Sequence, residues 1–222
     1  MRMFILTLVC SMMLITPRSL LAEKAATIMV CIQPLGKYDH KLFGKAIKGL
    51  KYMYGFRIKV LDRADMPPQA YYKPRHRYRA DKLLDFLEAD AMKGTDCSIM
   101  VGFTKLDISV TKGKHKDWGI FGLGSSFQHS CVISTFRLGR KTKSARTKII
   151  RTIKVVNHEV GHVLGQGHCE SERCLMNDAR GKISTVDNET GQLCELCIKE
   201  IERRYSIKLP VHDVIDWEQL VD

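Results

Sequence analysis

Apolar residues recur along the chain with two spacings, one typical of strands and one typical of helices. Alternating or continuous apolar runs predict strands at residues 27–33, 56–61, 97–103, 119–125 and 131–138. Helical spacing predicts helices at residues 41–54, 81–92 and 195–205. Residues 62–78 are rich in proline and tyrosine, which predicts an exposed loop. This alternation of strands and helices predicts an α/β (α+β) fold with a twisted, mixed and mainly parallel sheet.

A further amphipathic helix, with apolar residues at 149, 153, 156 and 160, carries a polar motif. Its four-residue spacing places His158 and His162 on one face, so both side chains can reach one Zn²⁺ ion. Gly165 can end the helix because glycine adopts positive φ, and the resulting turn can bring back His168 as a third ligand. Glu159 would lie beside the metal and take a proton from a water molecule. The alternative, a helix with incidental histidines, does not account for the added glycine and third histidine.

A cysteine cluster follows this motif directly. Its members form two close pairs, Cys169 with Cys174 and Cys194 with Cys197. Four thiolates suit a closed tetrahedral zinc site that fixes loops in place. Two disulfides or a Cys-x-x-Cys redox pair are the alternatives. We favour zinc because no thioredoxin-like strand and turn precedes Cys194.

The segment 158–197 resembles the archaemetzincin signature of the metzincin zinc peptidases, and every spacing of that signature is met. The resemblance implies that His158, His162 and His168 hold a catalytic zinc, that Glu159 is the base, and that the four cysteines hold a structural zinc. Met176 matches the methionine of the metzincin turn. By this likeness we expect two zinc ions per chain. The fold would combine a metzincin-like sheet, backing and active-site helices, and a small helical C-terminal subdomain that contains the Cys₄ site.

The resemblance also implies where the substrate and the subdomains lie. In metzincins the substrate lies extended along a sheet edge, and we assign that role by analogy to residues 118–125. An ordinary glycine-kinked hairpin is the alternative for this segment. Residues 23–222 would form one metallopeptidase domain, with an upper subdomain at about 25–165 and a lower one at about 166–222.

The N-terminus has the pattern of a targeting segment. Arg2 precedes an apolar run that is too short to span a bilayer, and Ala22 offers a small residue for cleavage, so residues 1–22 are predicted to be a signal peptide. We therefore expect an exported, periplasmic or extracellular protein. A lipoprotein anchored at Cys10 is less expected, because the preceding residues lack the usual small residue. Cys31, Cys97 and Cys131 lie in apolar segments and are expected to be buried reduced thiols.

The chain is strongly basic, with a formal net charge of +12. A run without acidic residues leads into the metal-binding helix, and it comprises Arg137, Arg140, Lys141, Lys143, Arg146, Lys148, Arg151 and Lys154. This run predicts a solvated surface, or alternatively a site for acidic peptides, envelope polymers or membrane headgroups. The tail after Pro210 is acidic and could pair with this surface or be loose. His212 in that tail is expected to be no ligand.

These features predict an enzyme of one class. We expect a monomeric zinc metallopeptidase that hydrolyses a peptide or protein substrate, which could itself be acidic. Whether it acts as an aminopeptidase or an endopeptidase stays open. Nucleic acid is not an expected partner. The alternative is a non-catalytic, zinc-stabilised protein that binds acidic or anionic partners, but such a protein would not need Glu159 and three spaced histidines.

Overall fold

The computed structural model describes residues 28–210, 212 and 214–222, so the predicted signal peptide lies outside the described residues. The strands are β1 (Met29–Pro34), β2 (Arg57–Val60), β3 (Tyr71–Tyr72), β4 (Arg77–Arg79), β5 (Ile99–Thr104), β6 (Ile108–Lys112), β7 (His115–Ile120), β8 (Gly122–Ser125) and β9 (Ser130–Ser134). The helices are α1 (His40–Tyr54), α2 (Ala80–Phe86), α3 (Ala145–Val163), α4 (Ile183–Asn188), α5 (Glu195–Tyr205) and α6 (Trp217–Val221). A π-helical turn over Leu87–Ala91 extends α2.

The main sheet has five strands in the order β2-β1-β5-β9-β8. Strands β2, β1, β5 and β9 are parallel, and β8 pairs antiparallel with β9 at the edge. Alternate residues of β1 face opposite layers, since Val30 packs with α1 and α3 whereas Cys31 packs with α2. The mixed, mainly parallel sheet between helical layers confirms the predicted fold class.

Helices α1 and α3 approach each other closely on one face of this sheet. A Cβ atom on Gly49 of α1 would lie only 2.6 Å from Cγ2 of Ile153 in α3. Asp39 caps the start of α1 by accepting a hydrogen bond from the Leu42 N–H, and Ser144 caps α3 in the same way through Thr147. The sheet and α1 therefore provide a fixed base for the helix that carries the histidine motif.

A second sheet corrects the prediction for two segments. Its four strands lie in the order β3-β4-β6-β7, so residues 62–78 contain β3 and part of β4 in addition to turns. The strand predicted at 119–125 is divided at Phe121, with its first part in β7 of the second sheet and the rest in β8 of the main sheet. The strand predicted at 131–138 ends at Ser134. Apolar patterning did not show these breaks because apolar residues continue past each of them, as at Phe121 to Leu123 and at Phe136 and Leu138.

The expectation that Cys31 and Cys97 are reduced is wrong. They form a disulfide, with their Cα atoms 5.6 Å apart. Parallel pairing of β1 with β5 brings the two residues together, and Ser98 donates a backbone hydrogen bond to Met29 beside them. Cys131 is a buried free thiol, as expected.

Part of the basic run is buried, so the run is not one solvated surface. Arg137 pairs with Asp107 through two hydrogen bonds of 2.6 and 2.7 Å. Arg151 is only 3% exposed, and Lys154 donates to the carbonyl oxygens of Val186 and Glu189. These three cations stabilise contacts between segments and are unavailable to a partner.

The end of the chain packs against the segment that contains the basic run. Arg146 and Glu218 form a two-hydrogen-bond ion pair, and α6 buries Leu220 and Val221. The acidic tail therefore pairs with the basic run, which was one of the two predicted outcomes. His212 stacks on Tyr52 at 3.8 Å between ring centroids and is not among the three histidines whose nitrogens converge. No helix in the described part of the chain is long and apolar enough to cross a bilayer.

Candidate metal centres and active-site cleft

The structure brings the three histidines of the motif together. Helix α3 presents His158 and His162 one turn apart, and Gly165 follows the helix with a φ of 85°. The chain then turns back, so that one ring nitrogen from each of His158, His162 and His168 lies within 4.8 Å of the others. A Cβ atom at Gly165 would collide with the Arg204 guanidinium as well as adopt an unfavourable backbone conformation. The turn therefore favours glycine at this position, whereas the flexible Arg204 side chain could move aside.

Two of these rings are held in the tautomer that a metal ion requires. His158 Nδ1 lies 2.7 Å from the Leu175 carbonyl oxygen, and His162 Nδ1 lies 2.7 Å from that of Gln166. A carbonyl oxygen only accepts, so both Nδ1 atoms donate and both Nε2 atoms keep a lone pair. These Nε2 atoms are 3.1 Å apart. Two ligands at about 2.0–2.1 Å from a tetrahedral zinc would be about 3.4 Å apart, so the donor set fits zinc.

Burial keeps these ligands neutral. It lowers the pKa of His158 to about 4, with the neighbouring His162 adding to the effect. Burial likewise lowers the pKa of His162, although the Gln166 carbonyl opposes that shift. At neutral pH the His158 and His162 imidazoles are therefore unprotonated, which is the form that binds a metal.

Glu159 lies in the cleft beside the histidines and outside the ligand group. Its side chain packs against β8, where a Cβ atom on Gly122 would be 2.5 Å from its Cγ. Burial raises the pKa of Glu159 to about 8, although the Gly124 N–H favours the carboxylate. A cation at the adjacent histidines would oppose that shift, because a nearby positive charge favours the ionised form. The glycines of β8 thus allow the strand to lie directly on the histidine helix.

Met176 lies beneath the histidine helix. Its side chain is fully buried, and a Cβ atom on Gly161 would be 2.5 Å from its sulfur. The preceding residue, Leu175, provides the carbonyl that orients His158. Consecutive residues at 174–176 therefore contribute to the cysteine cluster, to the orientation of a histidine and to the support of the helix.

The four cysteines form a second compact cluster. Cys169 Sγ lies 3.7 Å from Cys194 Sγ, and Cys174 Sγ lies 4.0 Å from Cys197 Sγ. These separations exceed a disulfide bond and match the roughly 3.8 Å expected between sulfurs bound to tetrahedral zinc at about 2.3 Å. Backbone N–H groups of Ser171, Met176 and Cys194 point at the sulfurs and favour thiolates. The donor set fits a structural zinc ion.

One sulfur of this cluster ionises more readily than a free thiol. Burial opposes the ionisation of Cys194, but hydrogen bonds from the Cys197 N–H and from neighbouring groups lower its pKa to about 6. Burial raises the pKa of Cys174 to about 11. Without a cation the cluster is therefore only partly ionised, and a cation would favour the remaining thiolates.

A cleft of about 380 Å³ contains the three histidines and Glu159. Its walls come from β7 and β8 on one side and from residues 178–181 on the other. The Trp118 ring lines the same cleft. Three charged residues of these walls were not singled out from the sequence, namely Lys112, Asp178 and Arg180. No sequence pattern identified them, because they reach the cleft from a hairpin tip and a turn.

The fold and these two donor clusters define a zinc metallopeptidase of the metzincin type. The chain belongs to peptidase family M54, which it matches over residues 40–203. It is 31% identical to the archaemetzincin of Natronomonas pharaonis over 179 residues, which cover 78% of this chain and 98% of that protein. Identity to the archaemetzincin of Halobacterium salinarum is 28% over the same lengths.

Solved structures of the family show the same fold. The crystal structure of archaemetzincin from Methanopyrus kandleri matches with a TM-score of 0.68 and 25% identity, covering 81% of this chain and 96% of that one. The crystal structure of archaemetzincin from Archaeoglobus fulgidus complexed with malonate matches with a TM-score of 0.65 and 25% identity. The match covers 78% of this chain and 99% of that one. Membership of the family confirms the resemblance found in the sequence.

Proposed function

We propose that His158, His162 and His168 hold the catalytic zinc and that Glu159 is the general base for peptide-bond hydrolysis. The observation that carries this proposal is the position of the Glu159 carboxyl in the cleft beside three convergent imidazoles. When bound, zinc supplies a Lewis acid that polarises the scissile carbonyl and lowers the pKa of water toward about 7. A binding protein without catalysis would have no use for a buried carboxyl at that position.

The residues of the chain have separate tasks in this reaction. Glu159 accepts a proton from the attacking water at a carboxylate oxygen and later delivers it to the departing amine nitrogen. The hydrogen bonds to Leu175 and Gln166 hold two imidazoles in position throughout. The outer edge of β8 borders the cleft, and its main chain would align an extended substrate by strand pairing.

The test is Glu159→Gln, which keeps the size of the side chain and removes its basicity. We expect zinc to be retained while peptide turnover falls by about 10²–10⁴-fold, the usual contribution of a general base. Glu172→Gln is the matched control, since Glu172 is exposed outside the cleft. Hydrolysis by Glu159→Gln at the native rate would show that this role is wrong.

We also propose that Cys169, Cys174, Cys194 and Cys197 hold a second, structural zinc ion. The sulfur separations and the N–H groups that face the sulfurs support this assignment. Such a site fixes the segment that presents Leu175 and Met176 to the histidine helix. Loss of this zinc should therefore loosen the catalytic site as well.

We propose, finally, that the protein is exported after cleavage of residues 1–22. The leader-like composition of the N-terminus and the Cys31–Cys97 disulfide support export, because disulfides persist mainly in oxidising compartments. The mass of the protein isolated from its own cells tests this proposal. A chain that begins near Glu23 supports export, and a chain that retains Met1 to Ala22 contradicts it.

A further inference from the structure

Two cations from distant parts of the chain border the same end of the active-site cleft. Lys112 lies at the end of β6, at the tip of the β6–β7 hairpin, whereas Arg180 lies in the turn after Met176. Both line the cleft that contains the histidines. Both also line an adjoining cavity of about 370 Å³ together with His115, Trp118 and Asp178. The two positive charges therefore face one continuous space.

The wall between these cations is held in place. The turn has positive φ at two consecutive residues, 47° at Arg180 and 72° at Gly181. A Cβ atom on Gly181 would lie 3.2 Å from Cζ2 of Trp118, so the indole packs directly on the turn. A non-glycine residue rarely adopts this conformation, and the Arg180 side chain is 80% exposed. The turn thus presents the guanidinium to solvent beside a fixed aromatic surface.

Neither cation is buried in a close ion pair. Among the described residues, no carboxylate oxygen lies within 4.0 Å of the Lys112 ammonium, and Arg180 approaches only Asp178, at 3.9 Å. Asp178 offsets part of this charge, since its Oδ2 faces Arg180 and its Oδ1 accepts a 2.8 Å hydrogen bond from the Arg180 N–H and lies 4.0 Å from His168 Nε2. Two cations against one carboxylate still leave a net positive charge. Both cations differ from Arg137 and Arg151, which are buried in paired contacts.

We propose that Lys112 and Arg180 form a subsite that binds a carboxylate of the peptide substrate. The subsite rests on the proposed peptidase function and defines its substrate class. Two cations at one end of a cleft attract an anion, and a guanidinium binds carboxylates through directed hydrogen bonds. The Trp118 indole offers an apolar surface for the carbon atoms next to that carboxylate. The carboxylate can belong to an acidic side chain or to the C-terminus of the peptide.

Three sets of short alanine-based peptides distinguish these sources. The first carries glutamate at successive positions and an amidated C-terminus, the second carries glutamine with a free C-terminal carboxylate, and the third carries glutamine with an amide. Affinity is measured by calorimetry on zinc-loaded Glu159→Gln protein, and kcat/KM on the wild type. We expect one carboxylate-bearing set to bind about three- to tenfold more tightly than the neutral set, the size expected for two exposed charge pairs. The preference should shrink at high salt.

The Lys112→Gln/Arg180→Gln double variant should lose this preference, so that it binds all three peptide sets with equal affinity. Lys114→Gln is the matched control, because Lys114 is exposed on the same hairpin and does not line the cleft. Equal binding of all three sets, or a preference that survives in the double variant, would overturn the subsite. If the wild type hydrolysed no peptide while the binding preference was present, the peptidase assignment would fail and the subsite would stand.

Discussion

Gly122 lies so close to Glu159 that a Cβ atom at this glycine would be 2.5 Å from the Glu159 Cγ and 2.6 Å from its Oε1. The strand that borders the cleft therefore also sets the position of the proposed base. A side chain at Gly122 could be accommodated only by displacing the Glu159 carboxyl or the strand. This contact makes the activity of the enzyme sensitive to a single methyl group.

We predict that Gly122→Ala retains zinc and lowers kcat/KM by about 100-fold, since displacement of a reacting group by about 1 Å has effects of that size. Steady-state peptide hydrolysis and metal analysis of the same preparation measure the two quantities. Gly44→Ala is the control, because nothing lies within 4 Å of a Cβ atom there. The control should keep full activity and gain about 0.5–1 kcal/mol in unfolding free energy, as alanine replaces glycine in a helix. Full activity of Gly122→Ala would contradict the described contact.

The Cys31–Cys97 disulfide closes a loop with a sequence separation of 66 residues. We predict that the Cys31→Ala/Cys97→Ala double variant loses about 2–4 kcal/mol of unfolding free energy, because the cross-link restricts the unfolded chain. Urea denaturation without reductant measures this loss. Peptide mapping of the non-reduced wild type should show a fragment that joins residues 31 and 97. Free thiols at both positions in protein from its own cells would contradict the pairing.

Because Arg151 pairs with Asp187, the free energy of unfolding should depend on pH in the acid range. The hydrogen bonds and charge of Arg151 lower the pKa of Asp187, with burial opposing them. Because the folded-state pKa is lowered, the pair stabilises the fold above the unfolded pKa of about 3.9 and ceases to do so as pH falls through the folded value. Urea unfolding is measured from pH 6 down into this acid range. The free energy of unfolding should fall less for Asp187→Asn than for the wild type. Asp96→Asn, at an exposed ion pair, is the control. Parallel acid profiles for the wild type and Asp187→Asn would contradict this role.

Local sequence patterns were sufficient to predict that the three histidines of the candidate site lie together, because these residues are close in the chain. The four-residue spacing of His158 and His162 and the turn at Gly165 act within one helix and its end, so they could be interpreted without knowledge of the fold. The parallel sheet and helices α1 and α5 also follow from local periodicity. The close fit of Gly122 against Glu159 could not be predicted, since it depends on how β8 lies on α3.

Features that depend on distant pairing were missed or misassigned. Cys31 and Cys97 were expected to be reduced because their proximity requires the β1–β5 register. The second sheet was missed because β3 and β4 are short and no more than partly buried. Arg151 was read as part of a basic surface because its partner Asp187 lies 36 residues away. Each of these features depends on a contact between segments that are far apart in the chain, and local sequence patterns do not show which distant segments lie together.

We propose that two zinc ions occupy separate sites, one on the histidines and one on the cysteines. The most direct measurement is the native mass of the zinc-loaded wild type beside His162→Gln and Cys197→Ser. We predict two zinc ions on the wild type and one on His162→Gln. On Cys197→Ser we predict loss of the structural zinc and about 10–100-fold weaker binding of the other, because the Leu175 carbonyl that orients His158 follows Cys174. A wild type with one zinc ion and two disulfides among Cys169, Cys174, Cys194 and Cys197 would contradict the claim.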